Sequence, residues 1–446
     1  MNKKMIFLGF GLLLTASVLA QPAQSSTLTM ALTGDAIITR KLSVYQEPEF
    51  LKMIDLLRGA DMAFTNLEML FHDYEPYPMN QSGGTYMRAE PELVNELIWA
   101  GIDMVSCANN HTGDYGAEGM RLTVKYVDQA GLVYAGVGES LPEAREAKFL
   151  ETGKGRIALI SVSSTFPDHS RAGKTRGDMP ARPGLNPLRH TVTNHITAEQ
   201  MSALRQIAGS LGQSAGSGNS LRFLGQRFEV AEQPGVTTQP EKEDLEEIAA
   251  VVRSASKLAD YTIVTIHAHE RNGALSVPAQ FVETFARAVI DAGADVMVGH
   301  GPHVLRGIEL YKGKPILYSL GDFIFQNETL LRLPYENYEP YDLGSDKHVA
   351  DFNASRYSND TRGFPVNPEI WESVIAMPSW KDGQLIALEL HPISLGFGQK
   401  PSIRGRPMLA DEATGKKIIQ DLIERSKPYG TVIEYVNGIG VVKISQ

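Results

Sequence analysis

Two imidazoles close an apolar run in this chain. Val296 to Val298 stops abruptly at Gly299-His300-Gly301-Pro302-His303. A buried strand followed by a loop would deliver both rings to the C-terminal edge of a sheet, where ligands bind in open α/β folds. Neutral imidazole is the commonest side-chain metal ligand, so the pair points to a metal centre. Similar junctions recur upstream. Gly34-Asp35 follows the apolar run 28–32, and Asn66-Leu67-Glu68 follows 61–65. Asn109-Asn110-His111 follows 101–107, and His267-Ala268-His269 follows 261–266. If these strands lie parallel in one sheet, the five ends share one edge. They then set carboxylates, amides and imidazoles around a single cleft. That donor mixture suits Zn, Mn or Fe, singly or paired. Two metals roughly 3.5–4 Å apart, bridged by an acid, suit hydrolysis at phosphorus or carbonyl. Each residue also has an ordinary role: Gly34-Asp35 as a turn or helix cap, Asn109 and Asn110 as turn residues, His269 and Glu270 as solvent-facing neighbours. It is their coincidence at five strand ends that favours a metal.

The elements that must hold these side chains follow from periodicity. Helical spacing runs through 50–57, 91–99, 118–129, 241–258, 278–292 and 411–425. Runs at 305–310, 316–320 and 323–325 read as hairpin strands, with Lys312-Gly313 as a turn. Two stretches, about 163–240 and 327–379, show no period. The first reads as a lid, an insertion or a disordered stretch. Strand–helix alternation followed by paired strands implies one layered α/β domain over 27–446, carrying two irregular insertions. The first insertion is locally basic. Its Arg182 and Arg189, with Arg306 as a third, are candidate binders of an anionic substrate, since a guanidinium fork matches a carboxylate.

The chain has 446 residues, one Cys and a formal net charge of −10. One Cys forms no internal disulfide, so stability must come from a packed core. The acidic balance argues against non-specific nucleic-acid binding. Met1-Asn-Lys-Lys4, an apolar run over 5–14 and a small residue at Ala20 make 1–20 a cleavable secretory signal peptide. The expected location is periplasmic or secreted, with an uncleaved membrane anchor as the alternative.

Six motifs occur in order: Thr33-Gly-Asp35, Thr65-Asn-Leu-Glu68, Ala108-Asn-Asn-His-Thr-Gly-Asp-Tyr-Gly116, Ile290-Asp-Ala-Gly-Ala-Asp295, Gly299-His-Gly-Pro-His-Val304 and Tyr318-Ser-Leu-Gly321. Together they resemble the bacterial capsule-synthesis CapA family over about 28–325. The resemblance implies a calcineurin-like metallophosphatase sandwich, a layered α/β fold with mixed sheets, and a tie to poly-γ-glutamate synthesis. It makes Asp35 the first metal carboxylate, Glu68 the bridging acid and Asn110 the amide ligand. His267, His300 and His303 become imidazole ligands, and His111 the catalytic acid beside them. The chain departs from the metallophosphatase pattern at Ile37, where a His is usual, and in the two residues separating His300 from His303. It departs from the CapA pattern at Ala268-His269-Glu270, where Trp-Gly is common after the His, and at Asp322, where Asn is usual. His269 and Asp322 therefore join His111 as candidate catalytic residues. The implied cofactor is one or two divalent ions (Zn, Mn, Fe or Ca). The implied partners are an anionic polymer or peptide substrate, γ-glutamyl or phosphoester in type, and capsule-synthesis membrane proteins. Hydrolysis or transfer is the leading reading. A non-catalytic polymer-binding accessory protein of synthesis or export, and a metal-assisted epimerase or lyase, are the alternatives.

Overall fold

The computed structural model describes residues 27–214 and 216–444. The expected 1–20 signal peptide lies outside them. Among the described residues no helix is long and apolar enough to cross a membrane.

Two sheets lie face to face. Along the strand Leu28–Ile37, Leu28, Met30 and Leu32 point into one core while Ala31, Ala36 and Ile37 point into another. Along Gly155–Ser163, Ile157 and Leu159 meet that first core, and Ala158, Ile160 and Val162 turn the other way. Strands apolar on both faces must be covered on both. The inner faces therefore close on each other. Helices Pro48–Gly59, Val94–Ala100 and Gly116–Gln129 share the outer core of the first sheet. Helices Lys242–Ala255 and Gln280–Asp291 share that of the second. The layers run helix, sheet, sheet, helix.

The first sheet has ten strands, with Leu28–Ile37 central. Met62–Leu67 pairs with it in parallel, Met104–Ser106 lies beyond, and Glu372–Lys381 pairs antiparallel on the other side. The second sheet runs Ile308–Tyr311, Lys314–Leu317, Val296–His300, Tyr261–His267, Gly155–Ser163, Lys148–Thr152. Register aligns the strand ends. Asp35 pairs with Asn66 and Asn66 with Ser106 in the first sheet. Ser163 pairs with His267 and His267 with His300 in the second. The expectation of one shared sheet edge is thus corrected: the five junctions divide between two sheets and meet where those sheets face each other.

Three further expectations change. The run at 323–325 is not part of a hairpin. Asp322–Phe325 joins the first sheet parallel to Leu28–Ile37, with Asp35 opposite Asp322. This pairing requires glycine at 34, where a Cβ would sit 1.8 Å from the Gly321 carbonyl oxygen. The second irregular stretch ends earlier than 379, because 372–381 is a full strand of the core sheet. The first is ordered over most of its length. Strands His190–Ile196, Ser220–Phe223, Gln226–Val230 and Gly235–Pro240 form a separate four-stranded sheet. The helix Ala198–Ser210, opened by a Thr197–Gln200 capping box, packs Met201 and Ala208 onto its Leu221 and Phe223.

Candidate functional site

The loops after the strands are fixed before any ligand is considered. Asn109 Nδ2 donates to the Leu67 carbonyl at 2.7 Å, and its Oδ1 accepts the His111 N–H at 3.1 Å. That ties the Asn110-His111 turn to the strand carrying Glu68. In the 299–303 loop, Gly301 has φ +114° and His303 has φ +57°. A left-handed non-glycine residue costs about 1 kcal/mol or more and is kept where its surroundings insist on it. Gly301 has no room for a side chain, since a Cβ would lie 3.0 Å from the Ala268 nitrogen and 3.2 Å from His267 Nε2. Its N–H instead donates to Asp35 Oδ2 at 2.8 Å.

Asp35, Glu68, His267 and Asp322 are fully buried, with His300 almost so. Asp35 Oδ1 accepts Asn66 Nδ2 at 2.6 Å and lies 3.6 Å from His267 Nδ1 and 3.5 Å from His300 Nδ1. The two Nδ1 atoms are 3.1 Å apart. On its other side His267 Nε2 is 3.8 Å from Glu68 Oε1 and 3.0 Å from His269 Nε2. His303 Nδ1 meets Asp322 Oδ1 at 2.8 Å. Three overlapping groups have donor atoms within 4.8 Å of one another: Asp35, His267 and His300; Glu68, His267 and His269; Asp35, Glu68, His303 and Asp322.

The donor set fits a cation. Both Glu68 carboxylate oxygens, Asn66 Oδ1, Asn110 Oδ1, His300 Nε2 and Asp322 Oδ2 are buried without a hydrogen-bond partner. Burying a carboxylate unpaired costs several kcal/mol, and here several acceptors converge where a positive ion would satisfy them together. Burial, reinforced by the Asp35 charge, pushes the Glu68 carboxyl well above its usual range. Burial pulls His267 and His269 well below theirs, and His300 down to about 3. Neutral imidazoles are the form that ligates. For His303 burial also acts downward, but the Asp322 and Glu68 carboxylates outweigh it and hold the ring up at about 10.

His111 is held differently. Its Nδ1 meets Asp114 Oδ2 at 2.7 Å, and its Nε2 lies 3.7 Å from Glu68 Oε1. Asp114 is locked in turn by the N–H groups of Gly83 and Met87. A cavity of about 310 Å³ opens above the cluster, lined by Asn110, His111, His269 and His303 together with Arg356 and Phe364.

The three candidate arginines lie in other settings. Arg306 is 1% exposed, and its guanidinium donates to the carbonyls of Leu275, Ala268, His269 and Glu270. It braces the loop that carries His269. Arg189 forks onto Asp244 with contacts of 2.7 and 2.9 Å. Arg182 donates to the Arg171 carbonyl and lines a different cavity, with His169. None of these three candidate substrate binders lines the cavity beside the cluster. Sequence reasoning left Asn66, Asp114 and Arg356 out of the site. Asn66 stands in the same strand-end motif as Glu68, and Asp114 stands three residues after His111, so both carried a readable signal. Arg356, in an aperiodic segment, carried none. Cys107 is buried and its thiol pushed up to about 12, which suits a small apolar filler.

The family model described as Bacterial capsule synthesis protein PGA_cap matches residues 29–327. The uncharacterized protein y4sH of Sinorhizobium fredii is 36% identical over 433 residues, covering 93% of each chain. Capsule biosynthesis protein CapA of Bacillus anthracis is 25% identical over 309 residues, 68% of this chain and 61% of that one. PGA biosynthesis protein CapA of Bacillus subtilis is 26% identical over 281 residues, 60% of this chain and 58% of that one. The matched span contains every acid, amide and imidazole of the cluster, all six strands of the second sheet and five of the ten strands of the first, and on that match the chain belongs to the bacterial capsule synthesis protein family, PGA_cap.

Proposed function

We propose that this protein is an exported, metal-dependent enzyme that hydrolyses or transfers a carbonyl or phosphoryl group on an anionic substrate of poly-γ-glutamate or capsule metabolism. The observation that carries the reading is the buried set of unpaired acceptors on Glu68, Asn66 and Asn110, with Asn110 lining a cavity beside an oriented His111. Asp35, Glu68, Asn110, His267, His300 and His303 are the proposed ligands, with Asn66 added; a bound cation would displace the second proton of His303, leaving Nδ1–H on Asp322. The number of imidazoles favours Zn, Mn or Fe over Ca, which takes oxygen donors. The chemistry a divalent cation supplies at such a cluster is polarisation of a substrate oxygen and acidification of water. The protein's own residues supply the rest. Asp114 fixes His111 so that Nε2 serves as proton donor or acceptor toward the cavity. His269, neutral through burial, is a second proton carrier within reach of His267. The close-packed Gly301 backbone holds Asp35 in place.

The test is elemental analysis of the purified mature protein, with turnover measured on γ-glutamyl oligomers and on phosphoesters. A stoichiometric transition metal in the unsubstituted protein is expected. Glu68→Gln should lower both metal content and turnover. Metal-free protein that is equally active would sink the proposal. Undiminished binding of γ-glutamyl oligomer with no turnover on any substrate would point instead to an accessory polymer-binding role.

A further inference from the structure

The cavity beside the cluster contains a basic side chain outside the family-matched span. Arg356 ends the helix Val349–Arg356 and forms part of the cavity wall. Its guanidinium is positioned rather than neutralised. One nitrogen donates to Thr85 Oγ1, and the guanidinium carbon lies over the rings of Phe352, Tyr357 and Phe364 at 5.8, 5.2 and 5.7 Å. Among the described residues Arg356 has no carboxylate partner. Arg404, by contrast, is shared between Glu328 and Asp360, and Arg189 is paired with Asp244. A guanidinium stacked on aromatic rings keeps its forked donors available for an oxyanion.

Two observations connect this cation to the cluster. The Phe364 ring that touches Arg356 also packs edge-on against His303, with centroids 5.5 Å apart. Asn327 lines the same cavity at 4% exposure, gives its amide nitrogen to the Tyr357 hydroxyl at 3.2 Å, and leaves Oδ1 without a partner. Whichever way that amide is turned, one of its two polar atoms is left for a ligand. At about 310 Å³ the cavity sits at the small end of ligand pockets. That is room for one amino-acid-sized group inside the cavity.

We propose that this cavity recognises a single terminal anionic group of the substrate, a carboxylate or a phosphate, with Arg356 as its counter-charge and Asn327 as a second hydrogen-bonding partner. The inference rests on the reading of the neighbouring cluster as the reactive centre, and it makes the enzyme act at chain ends or on single units. Part of the pocket wall, Arg356, Phe364 and Ile370, comes from residues beyond 327, where the family model stops, so the counter-charge lies outside the span that builds the cluster.

Calorimetric titration with N-acetylglutamate, and separately with inorganic phosphate, tests this on the mature full-length protein. The unsubstituted protein should bind at least one probe saturably at low salt, and which one it binds identifies the anion. Arg356→Ala should weaken that binding about tenfold or more, as expected for loss of a charge-assisted fork. Arg356→Lys should restore part of it. The loss should shrink at high salt as the attraction is screened. Arg222→Ala, which removes an exposed charge in the separate small sheet, should change nothing. Unfolding midpoints and metal content should match across the Arg356 variants, and Arg356→Gln serves if the alanine variant folds poorly. Equal affinity for both probes in the unsubstituted, Ala and Lys proteins would overturn the proposal, as would failure of the unsubstituted protein to bind either. Arg356-dependent binding in a protein that purifies without metal would keep the pocket and remove the metal-centre reading. Arg356-independent binding in a metal-loaded protein would do the reverse.

Discussion

Asp114 decides which nitrogen of His111 faces the cavity. Its Oδ2 takes the Nδ1 side at 2.7 Å, and two backbone N–H groups keep the carboxylate from swinging away. This is the arrangement by which a carboxylate sets an imidazole's tautomer and tilt. His111→Ala should lower kcat by about 10²–10⁴ while metal content stays close to that of the unsubstituted protein. Asp114→Asn should lower kcat in the same direction, with KM and metal content little changed, because it disturbs orientation and leaves the ligands in place. Kinetics paired with elemental analysis checks both. Unchanged turnover in His111→Ala would remove this residue from proton transfer. Arg306 teaches the converse lesson. A buried arginine can look like an anion site in the sequence, yet this guanidinium is committed to backbone carbonyls and held down at about 10 by burial.

At the scale of elements, the strands that carry the site were legible where both faces are apolar, as at 28–32, 261–266 and 295–298. The identity of their sheets was not, because nothing in a strand's own residues says which neighbour it takes. Asp322–Phe325 is the sharpest case. It follows a hairpin of the second sheet and crosses to the first, a path set by the close approach of Gly321 to Gly34. Glu372–Lys381 was hidden because Pro378 and its polar neighbours break the expected run, although Trp380 and Ile375 are fully buried. His190–Ile196 was hidden for the opposite reason: it is half-exposed on both faces and shows no alternation. Gly34→Ala tests the crossing directly. The added methyl would meet the Gly321 carbonyl, and overpacking of this kind costs about 1–3 kcal/mol. Urea unfolding should show that loss as a lower midpoint at constant slope. An unchanged midpoint would mean that this strand pairing yields without cost.

For the molecule as a whole, the acids and amides of the cluster come from the first sheet and two of its imidazoles come from the second. An ion bound there would clamp the sheets together. Chelation should therefore lower the thermal midpoint by several degrees, since a ligand at a hundredfold over its dissociation constant contributes about 2.7 kcal/mol of stability. Scanning calorimetry before and after dialysis against a chelator, followed by metal add-back, measures this. A midpoint indifferent to chelation would show that the two sheets need no clamp. The division also bears on when the chain could acquire an ion. Asp35 and His300 are separated by most of the sequence and become neighbours only after the sheets dock, so a site made from both would be complete only in the folded chain. For a chain threaded unfolded across a membrane, selection of the ion then falls to the compartment in which folding finishes. Under the proposed reading of an exported metal protein, the supply of metal at the destination, not in the cytoplasm, would then set which ion the cluster carries.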